Sequence, residues 1–281
     1  MNLQVALERL AKHPLPVVAG GTDFYPALMD KPAPSELIDI TQFDELKTID
    51  SSDAGWRIGA AVTWTDLIRA NLPPAFAALK AAAKEVGSVQ IQNRATLVGN
   101  LCNASPAADG VPALLALNAS VELCSAAKVR TLPLNEFITG VRTTSRRADE
   151  LITAIHIPRM GSTEKSTFVK LGARKYLVIS IAMLAVNLDF DESGNCCNCA
   201  IAVGSCSPVA RRLTQLEQAL TGMAIDNTDE FARLIAAAPL EELSPIDDVR
   251  GSAKYRMSVV RSVTQRAVRS VVDESMSLRH G

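Results

Sequence analysis

The chain has 281 residues, enough for one large domain or two ordinary ones, each able to bury its own core. Hydrophobic residues make up 48% and charged residues 21%, a globular composition that excludes long disorder. With 29 basic against 30 acidic residues the net charge is −1, which argues against nucleic acid as a partner. Aromatics are only 4%, so a planar ligand would have to be held mainly by aliphatic side chains and backbone. Residues 1–10 set Glu8 and Arg9 within an apolar pattern, which predicts an amphipathic helix over 3–11 rather than an export signal. The longest apolar stretch, 177–188, carries Ser180 and Asn187 and is too short for a membrane span. Six cysteines (Cys102, Cys124, Cys196, Cys197, Cys199 and Cys206) without an export signal are expected as reduced thiols, which points to the cytoplasm.

A short strand at 16–19 is expected to end at Gly20-Gly21 and to lead into a short helix. Strands follow near 36–40 and 56–60, then a helix over 64–71. Pro73-Pro74 opens an alanine-rich helix, 75–86, with proline where a first turn tolerates it. Residues 87–110 are rich in Asn, Gly, Ser and Pro and read as irregular, ahead of an apolar helix at 111–117. Strands are expected at 120–124 and 151–157, the latter alternating Leu151, Thr153, Ile155 and Ile157 before Pro158 stops it. The polar segment 161–166 reads as a linker or hairpin, which suggests domains over 1–165 and 166–281. Beyond it come strands at 167–171, 178–190 and 198–203, with a hairpin turn over 189–195. Helices at 211–220, 229–237 and 255–273 complete an α+β second domain.

Two constellations carry candidate chemistry. In Val17-Val18-Ala19-Gly20-Gly21-Thr22-Asp23 a strand runs into two glycines and a helix start. Glycine permits a sharp turn with exposed N–H groups, and a helix start favours an anion, so phosphate would be welcome there. A tight turn with Thr22 or Asp23 as helix cap is the alternative. The second runs from Gln90 to Asp109 and is dominated by small, neutral hydrogen-bonding residues. Thr96, Asn100, Asn103 and Ser105 offer donors, Gly99 allows close backbone approach, and Asp109 can accept from sugar or ribityl hydroxyls. A loop satisfying its own backbone is the other reading.

In order and spacing these motifs resemble the FAD subunit of the molybdenum hydroxylases, the xanthine dehydrogenase, aldehyde oxidoreductase and carbon monoxide dehydrogenase group. Ala19-Gly20-Gly21-Thr22-Asp23 matches the family's Ala-Gly-Gly-Thr-Asp. Gln90 to Asn100 matches Gln-Ile-Arg-Asn-x-x-Thr-x-Gly-Gly-Asn, and Ser105 to Asp109 matches its Ser-Pro-x-x-Asp. Glu150-Leu151-Ile152, Lys170-Leu171-Gly172-Ala173-Arg174 and Ser252-Ala253-Lys254-Tyr255-Arg256 resemble later family segments, so the likeness spans nearly the whole chain.

The resemblance implies an α+β fold: a two-lobed FAD-binding domain of the molybdopterin dehydrogenase type, then a smaller α+β domain of antiparallel sheet and helices. It implies FAD on this chain, with Val17, Val18, Ala19, Gly20, Gly21, Thr22 and Asp23 around the diphosphate. It puts Thr96, Gly99, Asn100 and Asn103 on the second cofactor loop, Asp109 on the hydroxyl-bearing part, and Ile152 and Lys170 at further contacts. Residues 175–179 would lie near the isoalloxazine edge, where the acceptor approaches.

It further implies an oxidoreductase subunit that takes electrons from a [2Fe–2S] small subunit and passes them from reduced FAD to NAD⁺, O₂ or another acceptor. The organic substrate would be oxidised at a molybdopterin large subunit, in a dimer of heterotrimers. A stand-alone FAD-dependent oxidoreductase and a non-redox nucleotide-binding or scaffold protein are the alternatives. Three positions depart from the family: Val98 stands for a glycine, Gln92 for an arginine and Val178 for an acidic residue.

Three further features are set aside. In 196–199, strand alternation is expected to place Cys197 and Cys199 on one side and Cys196 on the other, which argues against a metal site. The three histidines, His13, His156 and His280, form no catalytic arrangement, and no catalytic residue is proposed. Arg146-Arg147 and Arg211-Arg212 read as solvated or partner-facing charges.

Overall fold

In the computed structural model, which describes residues 2–279, the chain forms two compact units. His280 lies outside the described residues. The first unit takes residues 1–70, 86–105 and 118–159, and the second takes 71–85, 106–117 and 160–281.

The first unit opens on the helix Leu3–Lys12, whose Ala6, Leu7 and Leu10 are buried as the amphipathic spacing requires. The Asn2 side chain accepts from the Val5 N–H at 2.9 Å and starts the helix. Val17–Val18 pairs in parallel with Ile38–Asp39. A five-stranded antiparallel sheet follows, in the order Ile49–Ser52, Gly55–Gly59, Leu151–Pro158, Ser120–Cys124 and Val129–Pro133. Leu151–Pro158 holds the centre and is buried almost throughout, which explains its run of Leu, Ile and Ala. Both outer strands, Ile49–Ser52 and Val129–Pro133, escape the sequence pattern because edge strands with polar exposed faces carry little apolar signal.

The expected irregular segment 87–110 contains two short helices, Val89–Gln92 and Leu97–Asn103. Each begins at a hydroxyl cap: Ser88 accepts from the Ile91 N–H at 3.4 Å and Thr96 from the Gly99 N–H at 3.0 Å. The Asn- and Gly-rich composition had pointed to a loop, but the caps prevail.

The second unit is built on a four-stranded antiparallel sheet in the order Lys165–Leu171, Ala182–Phe190, Cys196–Gly204 and Arg211–Arg212. Alternate residues of the central strand take opposite faces. Leu184, Val186 and Leu188 join Val260, Val263, Val268 and Val272 of the long helix Ala253–Arg279 in one core. Met183 faces the other way, so that a Cβ added at the adjacent Gly204 would meet Met183 and Pro112. That second face is covered by the helices Ala77–Glu85 and Gly110–Ala116. Ser166 ties helix to strand, donating to the Ala75 carbonyl at 2.7 Å and accepting from the Ala78 N–H at 2.8 Å.

Two local readings are corrected. Residues Arg211–Arg212 form a strand, and the helix starts at Thr214. Arg212 is a half-buried clasp rather than a solvated charge: its Nη2 donates to Glu217 at 2.8 Å and its Nη1 to the Leu115 carbonyl at 3.1 Å. In Cys196–Gly204, Cys196 and Cys199 are both buried while Cys197 is exposed. A bulge opposite Asp189 and Phe190 inserts one residue and breaks the simple alternation. Among the described residues no three His, Cys, Asp or Glu side chains converge on a metal-sized site, and no helix is long and apolar enough to cross a membrane.

Candidate functional site

The glycine turn and the capped helix Leu97–Asn103 come together on one cavity of about 300 Å³ in the first unit. Its walls include Val17 through Asp23 on one side and Thr96, Gly99, Asn100, Cys102 and Asn103 on another. Eleven of the fourteen residues singled out from the sequence therefore share one surface.

The turn is shaped by its glycines. Gly21 has φ +74°, in the left-handed region that glycine enters freely. A Cβ on Gly20 would collide with the Arg94 carbonyl oxygen, so a bare backbone lets the turn lie directly against the start of the second motif. Asp23 occupies the cap position of the helix Phe24–Leu28, yet its side chain makes no capping bond. Among the described residues, the N–H groups of Gly20, Gly21, Thr22 and Asp23 have no hydrogen-bond acceptor. These donors are half-buried or exposed, so beside a cavity they are open to water or to a ligand. This set is suited to an oxyanion with several acceptor oxygens.

The second wall offers side chains. Thr96 is buried and its hydroxyl oxygen is taken by the Gly99 N–H, which leaves the hydroxyl hydrogen to donate. Asn100 Oδ1 is buried and has no partner among the described residues. Asn103 Oδ1 accepts from Arg142, and its NH₂ group remains to donate. Cys102, an exposed free cysteine, also lines the cavity. Val98 sits inside the helix with its side chain buried, so its departure from the family glycine is absorbed by the core. Gln92 reaches back to the Val86 carbonyl at 3.1 Å.

The remaining three residues lie elsewhere. Ile152 is buried in the central strand of the first unit, opposite Leu123. Asp109 and Lys170 meet in the second unit: Lys170 Nζ donates to Asp109 Oδ2 at 2.6 Å and Ser180 Oγ to Asp109 Oδ1 at 2.7 Å. Burial raises the Asp109 carboxyl above its ordinary range, and the Lys170 charge offsets only part of that. The sequence drew no attention to Ser180 as a partner of Asp109, because a serine 71 positions away carries no local signal. Lys170 also lines a second cavity, of about 350 Å³, with Glu85, Arg174, Lys175 and Val178. Arg174 holds the following loop by donating to the Tyr176 and Leu177 carbonyls at 3.0 and 2.6 Å. Tyr176, Leu177 and Ile179 of that loop are exposed.

A cavity that presents free backbone donors, a hydroxyl and amides is suited to hold a phosphate-bearing cofactor. Residues 1–160 match the family described as the FAD binding domain in molybdopterin dehydrogenase, and 167–271 the CO dehydrogenase flavoprotein C-terminal domain. The chain belongs to this family of FAD-binding oxidoreductase subunits. It is 30% identical over 272 residues to the nicotinate dehydrogenase FAD-subunit of Eubacterium barkeri, covering 93% of this chain and 89% of the relative. To the xanthine dehydrogenase FAD-binding subunit of Escherichia coli O157:H7 it is 29% identical over 276 residues, covering 96% and 94%. Among solved structures, quinoline 2-oxidoreductase from Pseudomonas putida 86 superposes with a TM-score of 0.86 at 27% identity, over 98% of this chain and 95% of that one. The expected α+β architecture of an FAD-binding domain followed by a smaller sheet-and-helix domain agrees with these relatives.

Proposed function

We propose that this chain is the electron-transfer subunit of a multi-subunit molybdenum hydroxylase. It receives electrons from a [2Fe–2S] subunit and delivers them to NAD⁺, O₂ or another acceptor, while a molybdopterin subunit oxidises the organic substrate. The observation that carries this reading is the single cavity on which both cofactor motifs converge, with four free N–H groups and a buried unpaired amide oxygen. The relatives' names, an FAD-subunit of one dehydrogenase and an FAD-binding subunit of another, support a role within a larger assembly.

FAD, when bound, supplies the redox centre. The chain's own residues position it. The N–H groups of Gly20 to Asp23 fit the diphosphate, with Val17, Val18 and Ala19 forming the strand beneath. Thr96, Gly99, Asn100 and Asn103 hold the second side, and Asp109, oriented by Lys170 and Ser180, receives a cofactor hydroxyl. Ile152 supplies an apolar contact and Lys170 a polar one, with 175–179 near the approach of the acceptor. We assign 1–165 as the FAD-binding module and 166–281 as the C-terminal module, in a cytoplasmic dimer of heterotrimers.

The test is an absorption spectrum of the protein purified from its native complex, followed by chromatography of the heat-released cofactor. FAD at about one per chain, with iron–sulfur absorption from co-purifying subunits, is the expected result. A colourless chain that does not take up added FAD overturns the proposal.

A further inference from the structure

Trp64 stands outside every motif that drew attention in the sequence, yet its place in the cavity is closely specified. It is the first residue of the helix Trp64–Arg69, which starts at a reciprocal cap between Thr63 and Asp66. The Trp64 N–H donates to the Ala95 carbonyl at 3.1 Å, and the Leu97 N–H donates to the Val62 carbonyl at 3.2 Å. Thr63 also bridges to Thr96. These bonds fix the indole against the segment that carries the second cofactor motif. The side chain is fully buried and lines the same cavity as Gly20 to Asp23 and Asn100.

Its indole Nε1 is buried and has no hydrogen-bond partner among the described residues. A buried N–H left unpaired costs about 1–3 kcal/mol, and a phenylalanine would supply an aromatic filler without that cost. Indole N–H is a donor only, so its partner must be an acceptor. Asn100 Oδ1, an acceptor on the same cavity, does not take it and is itself unpaired. An orphan donor and an orphan acceptor that share one cavity without pairing mark a surface completed by something else. A dinucleotide carries both kinds of group: phosphate and ring acceptors, and sugar hydroxyls that also donate.

We infer that the Trp64 indole N–H is a cofactor-binding donor, delivered to an acceptor atom of the bound FAD. The inference rests on the reading of this cavity as the FAD site. Trp64 then helps fix the position of the dinucleotide, and an aromatic residue without the N–H does not replace it.

The test uses the full chain, freed of FAD and reloaded, with ¹⁵N-labelled indoles. The chain has two tryptophans, so Trp56 serves as the internal control. On saturation with FAD the Trp64 indole resonance moves downfield and its hydrogen exchange slows, while Trp56 is unaffected. In parallel, Trp64→Phe weakens FAD binding about tenfold in equilibrium dialysis, the size expected for one hydrogen bond to the ligand. FAD bound with an unchanged Trp64 resonance and exchange rate overturns this inference alone. Failure of the unaltered chain to bind FAD overturns the site reading beneath it. If Trp64→Phe does not fold, the resonance and exchange measurements on the unaltered chain decide the matter.

Discussion

Lys170 Nζ and Asp109 Oδ2 are 2.6 Å apart, an ion pair in which each side chain is only 8% exposed. The pair ties the sheet of the second unit to the segment leading into the helix Gly110–Ala116. Lys170 donates a second bond to the Glu85 carbonyl at 3.3 Å, so three parts of that unit meet at one ammonium group. Breaking such a pair from one side strands the other charge in a buried place. Lys170→Met is expected to cost about 3–5 kcal/mol in urea unfolding of the FAD-free chain. Adding Asp109→Asn should restore part of that loss. If the two single losses simply add in the double variant, the pair is not energetically coupled.

Gly20→Ala tests the close approach of the two motifs. The new Cβ would collide with the Arg94 carbonyl oxygen, and backbone cannot step aside as a flexible side chain would. We expect a loss of about 2–3 kcal/mol or failure to accumulate as folded protein. Gly21→Ala should be milder, about 1 kcal/mol for the left-handed φ, because the group it meets is the swinging Tyr25 ring at 2.7 Å. Thermal unfolding of the two variants without cofactor gives the order directly. Equal effects would show that the Arg94 contact does not govern the site.

Thr96→Val removes a cap while keeping the shape of the side chain. The helix Leu97–Asn103 loses the bond from the Gly99 N–H to Thr96 Oγ1, worth about 1 kcal/mol. FAD retention after gel filtration should fall as well, because the hydroxyl hydrogen is lost from the cavity. A variant that is destabilised but retains FAD fully would restrict Thr96 to the cap.

How much of this was legible in the sequence depended on what each segment's signal consisted of. Leu151–Pro158, Ser120–Cys124 and the opening helix announce themselves through apolar spacing, and the structure forms them close to the expected bounds. Residues 87–110 did not, because Ser88 and Thr96 act as caps only when the chain already turns there. The Cys196–Cys199 alternation failed for a different reason: a bulge is set by the partner strand, and nothing in 196–199 encodes it. The motifs gave eleven residues of the cavity, but Trp64 was missed. A buried aromatic at a helix start looks like any core residue until its N–H is found without a partner.

Asp248 is expected to contribute to the acid sensitivity of the second unit. It accepts from the Arg250 N–H at 2.8 Å, from Arg250 Nη2 at 2.6 Å and from Arg256 Nη2 at 2.6 Å. The Arg250 hydrogen bond leads in drawing its carboxyl down to about 2. A carboxyl depressed on folding contributes stability that is present above its unfolded value of about 3.9 and is lost as pH falls towards 2. Asp248→Asn should therefore be about 1–2 kcal/mol less stable than the unaltered chain at pH 7, with the difference vanishing near pH 2. Denaturant midpoints at both pH values check this, and a difference that stays constant would remove Asp248 from the acid limb.

The helices Ala77–Glu85 and Gly110–Ala116 belong to the second unit, although they are encoded between stretches of the first. The chain therefore passes from one unit to the other five times, and no single cut separates them. A protease nick in 161–166 would leave both helices on the larger fragment and uncover the sheet face they shield. The same interleaving bears on chimeras between relatives: grafting 166–281 alone would bring a foreign sheet against resident helices. A grafted segment would need to carry its matching 71–85 and 106–117 with it.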